Sequence, residues 1–207
     1  MGLEHVHNGI KYEISLGTLT SLSSDKKGKD VIIPHYLPNG VEIKRLGQGF
    51  CKSSFNRVTI SEGIREIPEQ AFSYSDVVEV FWPNDHDEIP YYCFAHSRVK
   101  RIHNIDYVRK IGDSAFAYCY ISDFYWPKNC AEIPRDCFRY SHIEEVHVQD
   151  SLSKICTCAF ADVSSLKKLD LSKVFSLDIE PCAFRRANPK NIVFPYYIDF
   201  RDIEDFF

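Results

Sequence analysis

Phenylalanine recurs in this chain with a regularity that chance does not produce: Phe50, Phe72, Phe94, Phe116, Phe138, Phe160 and Phe184 are separated by 22, 22, 22, 22, 22 and 24 residues. A fixed period of about 20–50 residues marks stacked repeats, in which one unit cannot bury its apolar face alone and its neighbours supply the cover. Other columns fill in once the units are aligned on this residue. Five positions earlier stand Ile67, Ile89, Ile111, Ile133, Ile155 and Ile179, with Leu46 one residue short in the first unit. Immediately before it comes a small residue: Gly49, Ala71, Cys93, Ala115, Cys137, Ala159 and Ala183.

Two further columns follow each phenylalanine at eight and ten positions. The first reads Val58, Val80, Ile102, Phe124, Val146, Leu169 and Ile192; the second reads Ile60, Trp82, Asn104, Trp126, Val148, Leu171 and Phe194, with the leucines shifted by a one-residue insertion. Apolar residues two apart define a strand with one buried face. Pro83, Pro127 and Pro195 come next, and proline ends a strand because it has no N–H to give the ladder. Both tryptophans therefore belong to the core. Each unit is a short strand, a turn and a compact return segment, and stacking the units gives a solenoid with one parallel sheet of short strands.

The pattern in "KIGDSAFAYCYISDFYWP" (110–127) resembles the BspA-type leucine-rich repeat through its period and its small residue before phenylalanine. The resemblance covers roughly residues 31–195, as about seven phenylalanine-anchored units plus a half unit at "DVIIP". It implies a leucine-rich-repeat solenoid fold and, from the family, a surface antigen or adhesin that binds host or matrix proteins. Open solenoid ends would expose the core, so both need caps. Residues 1–30 are expected to form a capping hairpin and loop, the hairpin spanning 8–22. In 196–207, Tyr196, Phe200, Ile203 and Phe207 are spaced for one face of a short capping helix.

Function has to reside on the strand positions that point outward. Seven after each phenylalanine these are Arg57, Glu79, Arg101, Asp123, Glu145, Lys168 and Asn191, with largely alternating charge, as in a cross-strand charge ladder. Nine after it come Thr59, Phe81, His103, Tyr125, His147, Asp170 and Val193, so that four consecutive strands carry rings. Such rings either stack to stiffen the sheet or offer a recognition surface with large contact area. The leading expectation is a non-enzymatic protein-binding scaffold using Phe81, Tyr125 and His147, with His103 less securely placed and Glu79, Asp123 and Glu145 setting charge preference. A third possibility is a subunit of a larger assembly, contacting a neighbour through Phe206 and Phe207. Asn104 breaks its inward column and implies a bulge or a side-chain bond to the backbone inside the turn.

Other chemistry finds little footing. The net charge of -4 and the absence of a basic cluster beyond Lys26, Lys27 and Lys29 argue against nucleic acid. There is no run of about 18 apolar residues to span a bilayer, and the amino terminus carries no apolar leader, which together suggest a cytoplasmic protein without membrane insertion. The eight cysteines include no Cys-x-x-Cys and read as small core fillers. Cys158 and Cys182 occupy equivalent positions and are expected as free thiols. No metal or cofactor is implied: His103 and His147 lie two units apart, about 10 Å along the ladder and too far to share an ion. No phosphate loop, catalytic triad or carboxylate pair is brought together by the repeat.

Overall fold

The computed structural model describes residues 2–24, 28–48, 54–199 and 203–207; Phe50, Phe200, Lys26 and Lys27 lie outside them. At the amino end, β1 (Leu3–His7), β2 (Ile10–Ser15) and β3 (Thr18–Ser24) form an antiparallel meander. β2 alternates, burying Ile10, Tyr12 and Ile14. Its two hairpin turns, Asn8-Gly9 and Leu16-Gly17, all have positive φ (50°, 71°, 50° and 75°), which matches the right-handed twist of the paired strands. The cap is thus one strand larger than a single hairpin over 8–22.

β4 (Lys29–Ile33) opens the solenoid, and the short β5 (Arg45–Leu46) joins β3 in parallel. From there each coil carries a face strand: β6 (Phe55–Ile60), β7 (Glu79–Phe81), β9 (Arg101–His103), β11 (Asp123–Tyr125), β13 (Glu145–His147), β15 (Lys168–Asp170) and β17 (Ile192–Val193). The coils of β7, β9, β11, β13 and β15 add, after a turn, a two-residue return strand: β8 (Glu88–Ile89), β10 (Lys110–Ile111), β12 (Glu132–Ile133), β14 (Lys154–Ile155) and β16 (Asp178–Ile179). In the β6 coil an isolated bridge from Glu66 to Arg45 takes that place. The period indicated only turns in the return segment; its isoleucine column in fact forms a second parallel ladder.

From Phe72 through Phe184 the anchor phenylalanines are fully buried and stack ring on ring, with successive centroid separations of 5.2, 5.8, 5.5, 5.3 and 5.5 Å. Backbone bonds such as Phe94 N–H to Ala115 O (2.9 Å) and Phe138 N–H to Ala159 O (2.8 Å) run alongside. Alanine and cysteine precede phenylalanine because no larger side chain fits there: Ala71, Cys93, Ala115, Cys137, Ala159 and Ala183 have no exposed surface. Two residues before and two after each ring, the turn needs left-handed backbone, with φ of 56° at Ser114 and 59° at Tyr118, for example. Each such residue costs about 1–2 kcal/mol, which the spine must offset. Trp82 and Trp126 lie in the core, 1% and 2% exposed.

Where the period alone gives one sheet, the structure has two. β4-β6-β7-β9 and β11-β13-β15-β17 are separate, and the return ladder parts at the same coil boundary into β8-β10 and β12-β14-β16. Three residues explain the break. Asn104 replaces the tryptophan of its neighbours and adopts left-handed backbone (φ 65°), turning the chain into a 3-10 turn at Ile105–Tyr107; its Nδ2 donates to Trp82 O at 3.4 Å, and Ile105 packs against the core. Gly112 draws β10 hard onto the preceding coil, since a Cβ there would lie 2.4 Å from Tyr91 N. Phe124 then fills a column otherwise held by aliphatics, its ring 5.0 Å from Phe116 and 5.6 Å from Phe138. Continuity across the break rests on the spine, through Ser114 N–H to Arg135 O, Phe116 N–H to Cys137 O and Tyr118 N–H to Arg139 O at 2.9–3.0 Å, and on Asn129 Nδ2 to Asp106 O.

At the carboxyl end Ile203 is α-helical and leads into a 3-10 turn, Glu204–Phe206, while Phe200 of the expected helical face lies outside the described residues. Tyr196 is 94% exposed and takes no part in the cap. Phe184 N–H donates to Phe206 O at 2.7 Å, the bond that each anchor makes to the residue before the next anchor. Phe207 therefore supplies a further rung, 5.8 Å from Phe184.

Candidate functional site

The outward strand face is built from the two columns, and the break divides it. On one side Arg57, Glu79 and Arg101 stand in register. Glu79 is 7% exposed: Arg57 Nη2 donates to it at 3.3 Å, Arg101 donates from the other side, and His103 Nε2 lies 3.6 Å away. Burial pushes the Glu79 carboxyl up, but the bonds from Arg101 and Arg57 outweigh it and hold the group below its usual range. Glu79 is consumed inside the sheet and offers no charge to a visitor. Phe81 stacks on His103 at 4.2 Å and 14°, with the Arg57 guanidinium 5.3 Å from the Phe81 ring centre.

Across the break, Asp123 pairs in register with Glu145 and Tyr125 with His147. Tyr125 is 62% exposed, and its ring stacks on His147 at 4.3 Å and 14°. His147 Nε2 lies 2.7 Å from Asp123 Oδ1 and 3.8 Å from Glu145 Oε2. The four-ring stripe is thus two stacked pairs, and His103 and Tyr125, adjacent by period, lie on opposite sides of the break. Between them opens a cleft of about 570 Å³ lined by Arg101, His103, Asn104, Asp106, Asp123 and Tyr125. Both walls are strand edges with no hydrogen-bonded strand opposite, among the described residues. A second opening, about 660 Å³, lies on the return side between β10 and β12.

Two features escaped the reading by columns. The diagonal from Asp123 to His147 joins a residue of the charged column to one of the ring column, and its only sign was two acids in succession beside a histidine. A further ring stack runs along the turn edge, Tyr74–His96–Tyr118–Tyr140, with centroids 4.5, 4.2 and 4.9 Å apart; these residues recur two after each anchor. Among the described residues, the core cysteines offer no activated thiol. Burial pushes Cys119 and Cys156 up to about 12 and holds Cys93 and Cys137 well above the ordinary thiol range, and Cys158 and Cys182 are free thiols. No helix among the described residues is long and apolar enough to cross a membrane.

Comparison with known proteins agrees with this architecture. Solved structures similar in fold include a leucine-rich repeat protein from Bacteroides ovatus (20% identity, TM-score 0.67, covering 92% of this chain and 53% of that one). A leucine rich cell surface protein from Faecalibacterium prausnitzii gives 18% identity and a TM-score of 0.54, over 86% of this chain and 51% of that one. The pneumococcal vaccine antigen PcpA gives 19% and 0.52, over 92% and 49%. This chain spans about half the length of each. No curated protein matches the sequence significantly. The profile of the BspA type leucine rich repeat region matches six copies, over residues 37–144 and 131–206, and the chain belongs to that family.

Proposed function

We propose that this protein is a non-enzymatic scaffold that binds another protein through the strand face on both sides of the break. The observation that carries the reading is Tyr125: a ring 62% exposed, held in one orientation by His147 and bordering an open cleft. Rigid aromatic side chains bring contact area at low entropic cost, and the unpaired edges of β9 and β11 offer backbone donors and acceptors to an extended segment of the partner. Phe81 and His103 extend the surface, while Asp123 and Glu145 give its far side negative character. The test is affinity capture from the native source with the wild type, with Phe81, Tyr125 and His147 all changed to Ser, and with Tyr74 and Tyr118 changed to Ser as a control. A partner retained by the control and lost by the triple variant supports the site; one retained by the triple variant removes it.

A second reading concerns location. Two of the similar structures are described as a cell surface protein and a vaccine antigen, which favours a surface protein of adhesin type over the cytoplasmic location suggested by the amino terminus. Fractionation of the native source distinguishes them. An assembly built on Phe206 and Phe207 is less favoured, because Phe206 is buried and Phe207 packs on Phe184 and Phe194.

A further inference from the structure

We propose that Asp123, Glu145 and His147 form a binding site for a divalent transition-metal ion of the zinc class. One ligand atom from each residue falls within 4.8 Å of the others. A tetrahedral ion with donors about 2.0–2.2 Å away holds them about 3.4 Å from one another; the separations from His147 Nε2, 2.7 Å to Asp123 and 3.8 Å to Glu145, bracket that value. Small rotations of side chains on two hydrogen-bonded strands would close the triangle. His147 is already fixed by its stack on Tyr125, so little order has to be imposed on the nitrogen ligand.

Electrostatics supplies the second, independent argument. Along this column charges alternate through Arg57, Glu79 and Arg101, but Asp123 and Glu145 stand directly opposite each other, an arrangement of like charges that destabilises neighbouring strands. Glu79 is satisfied by two guanidinium groups. Among the described residues, the ion-pair partner of Asp123 and of Glu145 is His147 alone; Lys168, in register with Glu145, makes no ion pair with it. A dication resolves the repulsion that the sequence builds in here and avoids at Glu79. One imidazole and two carboxylates suit zinc rather than calcium or magnesium, which take oxygen throughout. The remaining position faces outward and is left to water. These three residues also belong to the proposed partner face, but zinc binding is measured on the chain alone and stands or falls without a partner.

Titration of the folded chain with zinc chloride by calorimetry tests this directly, with circular dichroism to confirm that each variant keeps its strands. The expected result is one equivalent bound, loss of that equivalent in His147→Ala, weakening by about tenfold or more in Asp123→Asn and Glu145→Gln, and no change in the double variant His5→Ala, His7→Ala. Binding that survives His147→Ala, that is lost in the His5 and His7 variant, or that is absent in the wild type at millimolar zinc overturns the proposal. Should His147→Ala fail to fold, His147→Gln removes the nitrogen ligand at similar size and is read in the same way.

Discussion

Truncation of Phe116 to alanine probes the spine at its most exposed point of failure. The ring has no exposed surface and contacts Phe94 at 5.8 Å, Phe138 at 5.5 Å and Phe124 at 5.0 Å. Losing its burial costs about 1.5–3 kcal/mol, and a residual void of about 60 Å³ adds about 1.5 kcal/mol at about 24 cal/mol per Å³. The sum, about 3–4.5 kcal/mol, lowers Tm by roughly 6–18 °C for a chain of this size. The neighbouring coils have no strand pairing to compensate, since both ladders are open between the Phe116 and Phe138 coils, so the melting transition is also expected to broaden as the two halves uncouple. Tyr125→Ala is the matched comparison: its ring is mostly solvated and forfeits one stacked pair, about 0.5–1.5 kcal/mol. Thermal melts followed by circular dichroism measure both. Equal shifts for the two variants would mean that the buried and exposed faces are assigned backwards.

Other outcomes follow from particular contacts. Lys154 Nζ (2.6 Å), Thr157 Oγ1 (2.7 Å) and Thr157 N–H (2.8 Å) hold the Glu180 carboxyl down to about 2. A depressed folded value means a contribution complete above the ordinary carboxylate range, near 4.3, and lost as pH falls toward 2; the stability gap between wild type and Glu180→Gln should therefore be constant near neutrality and close across that window in denaturant titrations, and a gap unchanged from pH 6 to 2 refutes the assignment. Ser114→Gly, at φ 56°, relieves left-handed strain at some cost in unfolded-state entropy, for a net gain of about 0.5 kcal/mol that Ser114→Ala lacks. Amide exchange by mass spectrometry should be faster in peptides covering 101–103 and 123–125 than in those covering 79–81 and 145–147, because the first two strands each border the break; uniform protection would show the sheet to be continuous.

The columns that could be read from spacing are those in which burial repeats with the period. The inward assignments of Trp82 and Trp126, and of cysteine as a stand-in for alanine before Phe94 and Phe138, rest on such repetition and hold in the structure. The break left no mark in the period, because the units on both sides keep a spacing of 22. Its causes are individual substitutions: asparagine for tryptophan at 104, glycine at 112 and an oversized Phe124. Glu79 and Asp123 occupy equivalent outward positions, yet Glu79 is buried because its neighbours on both strands are arginines, while Asp123 meets another acid. A column places a residue on a face; its cross-strand neighbours decide whether it is free. At the carboxyl end the rung at Phe207 was not legible from the period, since Phe207 follows Phe184 by 23 residues and lacks the rest of the repeat around it.

The most direct test of the proposed working surface is a deuterium-exchange footprint of the chain bound to its captured partner. Protection concentrated in 79–81, 101–103, 123–125 and 145–147, and greatest at the two strands that border the cleft, is the expected result. Protection confined to the turn edge around Tyr74, Tyr118 and Tyr140, or to the return ladder, would contradict it.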